Sequence, residues 1–161
     1  PAHHATPTQL MGVSMTWLDG PEWLAVLRIG LGLWWLESWR HKDKKGWFER
    51  GTGIAWAKSV AEKHKWPFVR KGFDSIVAPR PKLMAHLVVW GELAIGLGLV
   101  TGVLTPIAAI ASLLLSLTYF VLMIHDWAEQ GQNYMMALVA VVILGTHAWT
   151  TWGLGQAVGL W

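Results

Sequence analysis

The chain has 161 residues, of which 53% are hydrophobic and 14% are charged, and its formal net charge is +3. Soluble domains carry about 25% charged residues, so this composition argues against a soluble globule, and it excludes intrinsic disorder, which requires low hydrophobicity and high charge. The lack of cysteine excludes disulfides, cysteine-ligated iron–sulfur clusters, covalently attached c-type haem and a thiol nucleophile.

Four apolar segments are each close to the length that crosses a membrane. They cover residues 23–39, 83–103, 106–124 and 134–152, and about 20 apolar residues cross about 30 Å of hydrocarbon. Short connections between such helices favour a compact arrangement. The sequence therefore predicts an all-α integral membrane protein, a four-transmembrane-helix bundle that forms a single domain over residues 1–161.

Eleven of the 13 tryptophans divide into two groups, and the other two, Trp56 and Trp66, lie in the long first loop. Indole rings favour the membrane–water interface, so those near the ends of the apolar segments are expected to act as interfacial anchors. This group comprises Trp17, Trp23, Trp39, Trp47, Trp127, Trp149, Trp152 and Trp161. Trp34, Trp35 and Trp90 fall inside predicted spans instead, which makes them candidates for stacking on a ligand.

Residues 40–82 form the long first loop and hold 12 of the 13 Lys and Arg residues, against four acidic residues. Cytoplasmic loops carry an excess of Lys and Arg, so we expect this loop in the cytoplasm and both termini outside. Aromatic residues interleave with the basic ones, and residues 54–64 can form a helix, which is typical of amphipathic helices in an anionic interface. A cap over a lateral opening and a docking surface for a partner subunit are the alternatives, and nucleic acid is not expected as a partner.

The third apolar segment follows a tight turn at residues 102–106. Thr105 followed by Pro106 predicts a helix start with Thr105 as the N-cap. Ser112, Ser116 and Tyr119 then follow helical spacing, and small and polar residues do the same in the fourth segment from Asn133. Such stripes usually face the interior, where they pack or line a ligand cleft.

Two charged residues lie inside apolar segments, where a charge costs at least about 2.5–3.5 kcal/mol on insertion scales. Arg28 is near the start of the first segment and Glu92 is near the middle of the second. Because the two helices are antiparallel, we expect the side chains within about 10 Å of each other in depth. They would either form an ion pair that fixes helix register, or bind a polar head group and transfer protons.

Three histidines lie at segment ends that alternating helix direction brings to one membrane face. His41 follows the first segment, His86 is near the start of the second and His125 follows the third. Such a cluster could gate protons, bind a quinone carbonyl or hold a metal or haem, although interfacial histidines also simply meet water and head groups. No close ligand spacing such as HxxxH occurs, so no metal site is predicted.

Two motifs each place a charged residue shortly before closely spaced glycines. They are LRIGLGL at residues 27–33, which contains Arg28, and GELAIGLGLVTGVLT at residues 91–105, which contains Glu92. This ordered set resembles the DoxX-like superfamily of bacterial and archaeal cytoplasmic membrane proteins, and most nearly its DoxD branch. The resemblance covers residues 23–152 apart from most of residues 45–80. It implies a membrane subunit of a quinone-linked oxidoreductase, which in the DoxD branch passes electrons from thiosulfate to quinone.

The first functional hypothesis is therefore a quinone-interacting subunit that receives electrons from a partner redox subunit. The candidate catalytic residues are Arg28 and Glu92, and the candidate quinone-binding residues are His86, Trp90, Trp34, Trp35, His41, His125 and Tyr119. One alternative is a non-catalytic accessory subunit of a respiratory or photosynthetic membrane complex. A small transporter or channel is a further alternative.

Overall fold

The computed structural model describes residues 20–160, so the predicted anchors Trp17 and Trp161 lie outside the described residues. Within residues 20–160 all regular secondary structure is helical, which confirms the all-α prediction. The helices are α1 (Gly20–His41), α2 (Thr52–Glu62), α3 (Pro67–Gly72), α4 (Pro81–Thr101), α5 (Thr105–Leu122), α6 (Trp127–Gly145) and α7 (Leu154–Ala157). Two π-helical turns, Gly46–Arg50 and Phe73–Val77, precede α2 and follow α3.

The four long helices pack around one core. α1 contacts α4, α4 contacts α5, α5 contacts α6, and α6 returns to α1. Each helix contributes apolar side chains to this core, which includes Leu31, Trp35, Ile95, Leu99, Ala109, Met136, Ala140 and Ile143. The insert between α1 and α4 joins the core helices through α2 and the first π-helical turn, both of which contact α4.

In the described part of the chain, α4 and α5 are long and apolar enough to cross a membrane. Their outward side chains stay apolar, as Ile107 and Leu114 show with exposed fractions of 65% and 61%. α1 has 22 residues and α6 has 19, which gives lengths of about 33 Å and about 28 Å, but charged and polar residues lower their hydropathy. Length and apolar composition therefore support two of the four predicted spans.

The helix boundaries differ most from the prediction at α6. It begins at Trp127 instead of residue 134, because Asp126 caps it: the Asp126 carboxylate accepts hydrogen bonds from the backbone N–H groups of Ala128 and Glu129 at 3.0 and 3.1 Å. It ends at Gly145 instead of residue 152. The predicted N-cap role of Thr105 is also wrong, since Leu104 is the N-cap and Thr105 is already helical.

The glycines of the two recurring motifs allow α1 and α4 to approach closely. A Cβ added at Gly32 would lie 2.9 Å from the backbone nitrogen of Val100 and 3.0 Å from the carbonyl oxygen of Gly96. A Cβ added at Gly96 would lie 3.0 Å from the carbonyl oxygen of Gly32. The two helices therefore meet backbone to backbone at this pair. A Cβ added at Gly30, in the same motif, would meet no such neighbour within 4 Å.

The substitutions Gly32→Ala and Gly30→Ala should therefore have opposite effects on stability. We expect Gly32→Ala to lower the free energy of unfolding by about 1–3 kcal/mol, because the new methyl group overpacks against backbone atoms. Gly30→Ala should leave it unchanged or raise it by up to about 1 kcal/mol, because alanine favours the helix. Thermal unfolding in detergent measures both effects. Equal melting temperatures for the two variants would contradict the close approach of α1 and α4.

Candidate functional site

A buried ion pair joins the end of α1 to the middle of α4. The Lys42 ammonium lies 2.8 and 2.6 Å from the two carboxylate oxygens of Glu92. The Glu92 side chain is 0% exposed and the Lys42 side chain is 15% exposed. The Ser38 hydroxyl and the Tyr119 hydroxyl donate to the same carboxylate at 3.2 and 3.1 Å. These donors compensate for the cost of burying a charged group.

The connection after α1 is fixed by a second acidic residue. The backbone N–H of Gly46 donates to the Asp43 carboxylate at 3.0 Å, and the Arg50 guanidinium pairs with the other carboxylate oxygen. These contacts, the Gly46 hydrogen bond first, lower the pKa of Asp43 below its usual value. They hold the chain in a turn immediately after Lys42.

A cleft of about 1120 Å³ lies against the Glu92 network. Ser38, Lys42 and Tyr119 line it, so the three side chains that contact Glu92 also face the cleft. Most of its other walls are apolar. This combination of an apolar cavity with a few convergent polar groups is typical of sites for small molecules and cofactors.

The insert supplies one wall of this cleft, as the capping alternative predicts. Its contribution comes from both π-helical turns, α2 and α3, and comprises Trp47, Ile54, Trp56, Ala57, Phe68, Val69, Gly72, Phe73, Ile76 and Val77. The opposite walls come from α1, α4, α5 and α6, including Trp34, Val88, Leu114 and Asn133. The cleft therefore lies between the core helices and the insert.

Arg28 belongs to a different part of the molecule. Its guanidinium is 0% exposed and donates to the carbonyl oxygens of Ala148 and Trp152 at 3.2 and 2.8 Å. Those carbonyls are available because α6 has already ended. The predicted pairing of Arg28 with Glu92 is therefore wrong. Arg28 lies beside Gly102, ten residues beyond Glu92 and thus about 15 Å further along α4.

The three predicted histidines do not form one cluster. His41 lies 3.1 Å from the carbonyl oxygen of Glu37 and lines the cleft. His86 stacks on Phe48 with ring centroids 4.4 Å apart. His125 packs edge-on against His64 at 5.6 Å and lines a separate pocket of about 420 Å³. Among residues 20–160, no group of three or more His, Asp or Glu side chains is arranged to hold a metal ion.

The three tryptophans predicted inside spans have three different environments. Trp35 is 1% exposed, lines the cleft, and donates from its indole nitrogen to the Ser112 hydroxyl at 2.8 Å. Trp34 lines the cleft and is 49% exposed. Trp90 is 52% exposed and lies near Phe48, outside the cleft lining.

Of the nine candidate residues, Trp34, Trp35, His41 and Tyr119 line the cleft. Glu92 lies directly behind it, in contact with Tyr119.

Sequence reasoning missed Lys42 and Ser38, which contact Glu92 most directly. By sequence Lys42 belongs with the other basic residues of the first loop. A signal was present, because Ser38 and Lys42 are four residues apart and lie on one face of a helix that continues past residue 39. Reading the helix to His41 would have placed both side chains toward α4.

Comparison with known proteins identifies the family of the chain. The model of the DoxX family matches residues 23–126, which is more than half of the chain. The match covers α1, the insert, α4 and α5, and so includes the Lys42–Glu92 pair and most of the cleft. It does not distinguish the DoxD branch. No curated protein and no solved structure matches the chain.

Removing Lys42 alone should be more harmful than removing the pair. We expect Lys42→Met to lower the free energy of unfolding by about 3–5 kcal/mol, because it leaves the buried Glu92 carboxylate without a counter-charge. The double variant Lys42→Met with Glu92→Met should recover most of this loss. Denaturant unfolding in detergent measures the differences, with Lys45→Met as an exposed control. A Lys42→Met variant as stable as the control would contradict the buried ion pair.

Proposed function

Because the chain belongs to the DoxX family, we propose that it is a membrane subunit of a quinone-linked oxidoreductase and that the cleft beside Glu92 binds the quinone. One observation carries the proposal: a large apolar cleft meets the hydrogen-bonded Lys42–Glu92–Tyr119 network. The DoxX family is a membrane-associated family, and a lipid-soluble ligand reaches such a cleft from the bilayer.

The residues of the cleft fit a quinone. Its ring carries carbonyl oxygens that need donors, and Lys42 and Tyr119 face the cleft. Both donate to Glu92 in this structure, so each would redirect one N–H or O–H group from Glu92 to a bound quinone carbonyl. The ring and isoprenoid tail are apolar, and the aromatic and aliphatic walls from α1, α5 and the insert suit both. Sites for drug-sized ligands usually occupy about 300–1,000 Å³, so this cleft has room for a ring and the first part of a tail.

A quinone supplies two-electron chemistry that also consumes two protons, and the protein must deliver those protons. Lys42 and Tyr119 carry exchangeable protons at the wall of the cleft, and both hydrogen-bond to Glu92. Glu37 and His41 also line the cleft, and their side chains are 51% and 66% exposed. They can exchange protons between water and the cleft.

The electrons come from outside the chain in this proposal. The sequence contains no recognisable prosthetic-group motif, so a partner redox subunit delivers them from a reduced donor. The resemblance to the DoxD branch makes thiosulfate the first donor to test. Arg28 has no part in this chemistry, because it is enclosed by the backbone of residues 148 and 152.

We further propose that all four long helices cross the cytoplasmic membrane of a bacterium or archaeon. α4 and α5 are apolar enough to do so, and α1 and α6 pack against them and are nearly as long. The excess of Lys and Arg in residues 40–82 then places the insert on the cytoplasmic side.

The chain contains two tyrosines, which allows a matched test of the cleft. We expect Tyr119→Phe to weaken binding of a short-chain quinone by about five- to tenfold, because one hydrogen-bonding group is lost. Tyr134→Phe makes the same chemical change at an exposed position outside the cleft lining and should have no effect. Quenching of tryptophan fluorescence by the quinone measures both, since Trp34 and Trp35 line the cleft.

Two results of this titration would count against the quinone proposal. Quinone binding that is equally strong in both variants would place the ligand elsewhere on the protein. A lack of saturable quenching in the unmodified protein would leave the accessory-subunit alternative as the better interpretation.

The membrane arrangement can be tested by labelling single cysteines, because the natural chain has none. Lys45→Cys in the insert and Thr146→Cys at the end of α6 both introduce exposed thiols. A membrane-impermeant maleimide should label residue 146 in intact spheroplasts and residue 45 only after permeabilisation. The reverse pattern would invert the proposed orientation. Labelling of both residues from one side would contradict the three membrane crossings, by α4, α5 and α6, that separate them in this proposal.

A further inference from the structure

α3 and the residues beside it form part of the cleft wall, but they also present an exposed basic surface that neither the core nor the cleft explains. None of the six residues of α3 is buried, and Phe73 is the buried residue of the π-helical turn that follows. Helices shorter than about 12 residues are marginal in water without tertiary packing. α3 therefore lacks the burial that normally stabilises so short a helix.

Large apolar side chains project outward from this segment. Phe68 and Ile76 are 64% and 63% exposed, and Trp66 is 41% exposed. Trp66 and Phe68 stack on each other with ring centroids 5.6 Å apart. Contiguous exposed apolar side chains of this size mark an interaction surface.

The same segment is strongly basic. Residues 63–77 contain Lys63, Lys65, Arg70 and Lys71 against one acidic residue, Asp74, and all four basic residues are exposed. Aromatic side chains flanked by Lys and Arg suit a partner that offers both negative charge and an apolar layer. An anionic phospholipid surface has both properties.

The position of the segment agrees with this partner. The ring of His64 contacts the carbonyl oxygen of Val121 at 2.9 Å, one residue before α5 ends at Leu122. The start of the segment is therefore fixed at the end of an apolar helix that is able to cross a membrane. The head-group layer of a bilayer begins where such a helix ends.

We propose that residues 63–77 dock on the anionic phospholipid head groups of the membrane that holds α4 and α5. Trp66, Phe68 and Ile76 insert at the level of the head groups, and the four basic residues bind phosphate and other anionic groups beside them. Phe68, Val69, Phe73 and Ile76 of the same segment also line the cleft, so docking places that wall of the cleft at the membrane surface. The inference rests on the proposed membrane crossing of α4 and α5, and not on which ligand the cleft binds.

The test uses the full chain in lipid nanodiscs, with a fluorophore on the single cysteine of a Ser75→Cys variant. One set of nanodiscs contains phosphatidylcholine alone, and the other also contains phosphatidylglycerol. Quenching by a nitroxide attached to lipid head groups reports how close the segment lies to the membrane surface. A label on Thr146→Cys, at the far end of α6, serves as the position control.

We expect stronger quenching at residue 75 in the anionic nanodiscs, with a decrease at high salt, and no change at residue 146. Replacing Arg70 and Lys71 by Gln should lower the ratio of docked to undocked protein about thirtyfold at low salt. Replacing Lys45 and Lys58 by Gln changes the net charge equally but lies outside residues 63–77, and should leave the quenching at residue 75 nearly unchanged. Circular dichroism melting confirms that each variant is folded.

Three outcomes would overturn the proposal. Equal quenching in the two lipid compositions would exclude recognition of anionic lipid. Lipid-dependent quenching that survives loss of Arg70 and Lys71 would move the site elsewhere in the insert. If the label on residue 75 is protected from quenching in native membranes but in neither kind of nanodisc, this surface belongs to a partner protein.

Discussion

The buried carboxylate of Glu92 is the constraint on which the arrangement of α1 and α4 depends. A charged group with no exposed surface requires a counter-charge and further donors, and Lys42, Ser38 and Tyr119 provide them. This requires α1 to continue to His41, so that Ser38 and Lys42 point toward α4. It also requires the two helices to lie in contact, which Gly32 and Gly96 permit because neither carries a side chain.

Arg28 of α1 is a second buried charge, and its role differs from that of Lys42, which directly follows α1. Arg28 binds the carbonyl groups of Ala148 and Trp152 and so ties α1 to the chain that follows α6. Lys42 binds Glu92 and so ties α1 to α4 and, through Tyr119, to α5. The position of one charge in the apolar part of a helix therefore does not reveal its partner. The carbonyl groups beyond α6 accept hydrogen bonds from both terminal nitrogens of Arg28 without any acidic residue, while its Nε is buried without a partner.

The cleft depends on the insert as much as on the core helices. The core supplies the polar groups that surround Glu92, and the insert supplies an apolar wall from α2 to the second π-helical turn. This division explains why an insert rich in Lys and Arg also contains so many aromatic residues. Residues within 68–77 line the cleft, and their largely exposed members Phe68 and Ile76 also lie beside basic residues, where they face the membrane surface in our proposal.

The sequence by itself determined the helical fold, the family and the importance of Glu92, because apolar segment length, glycine spacing and a charge in an apolar run are local properties. It also identified Tyr119, whose helical spacing with Ser112 and Ser116 directs it inward, and Trp35, because that indole falls inside an apolar segment. The partner of each charge depended on the tertiary structure. The positions of the helix ends set these pairings. α1 continues to His41 and α6 stops at Gly145, and both ends differ from the predicted ones. Lys42 therefore reaches the Glu92 carboxylate, and Arg28 binds the carbonyl groups that follow α6. The cleft depended on it too, because its walls come from segments far apart in the chain.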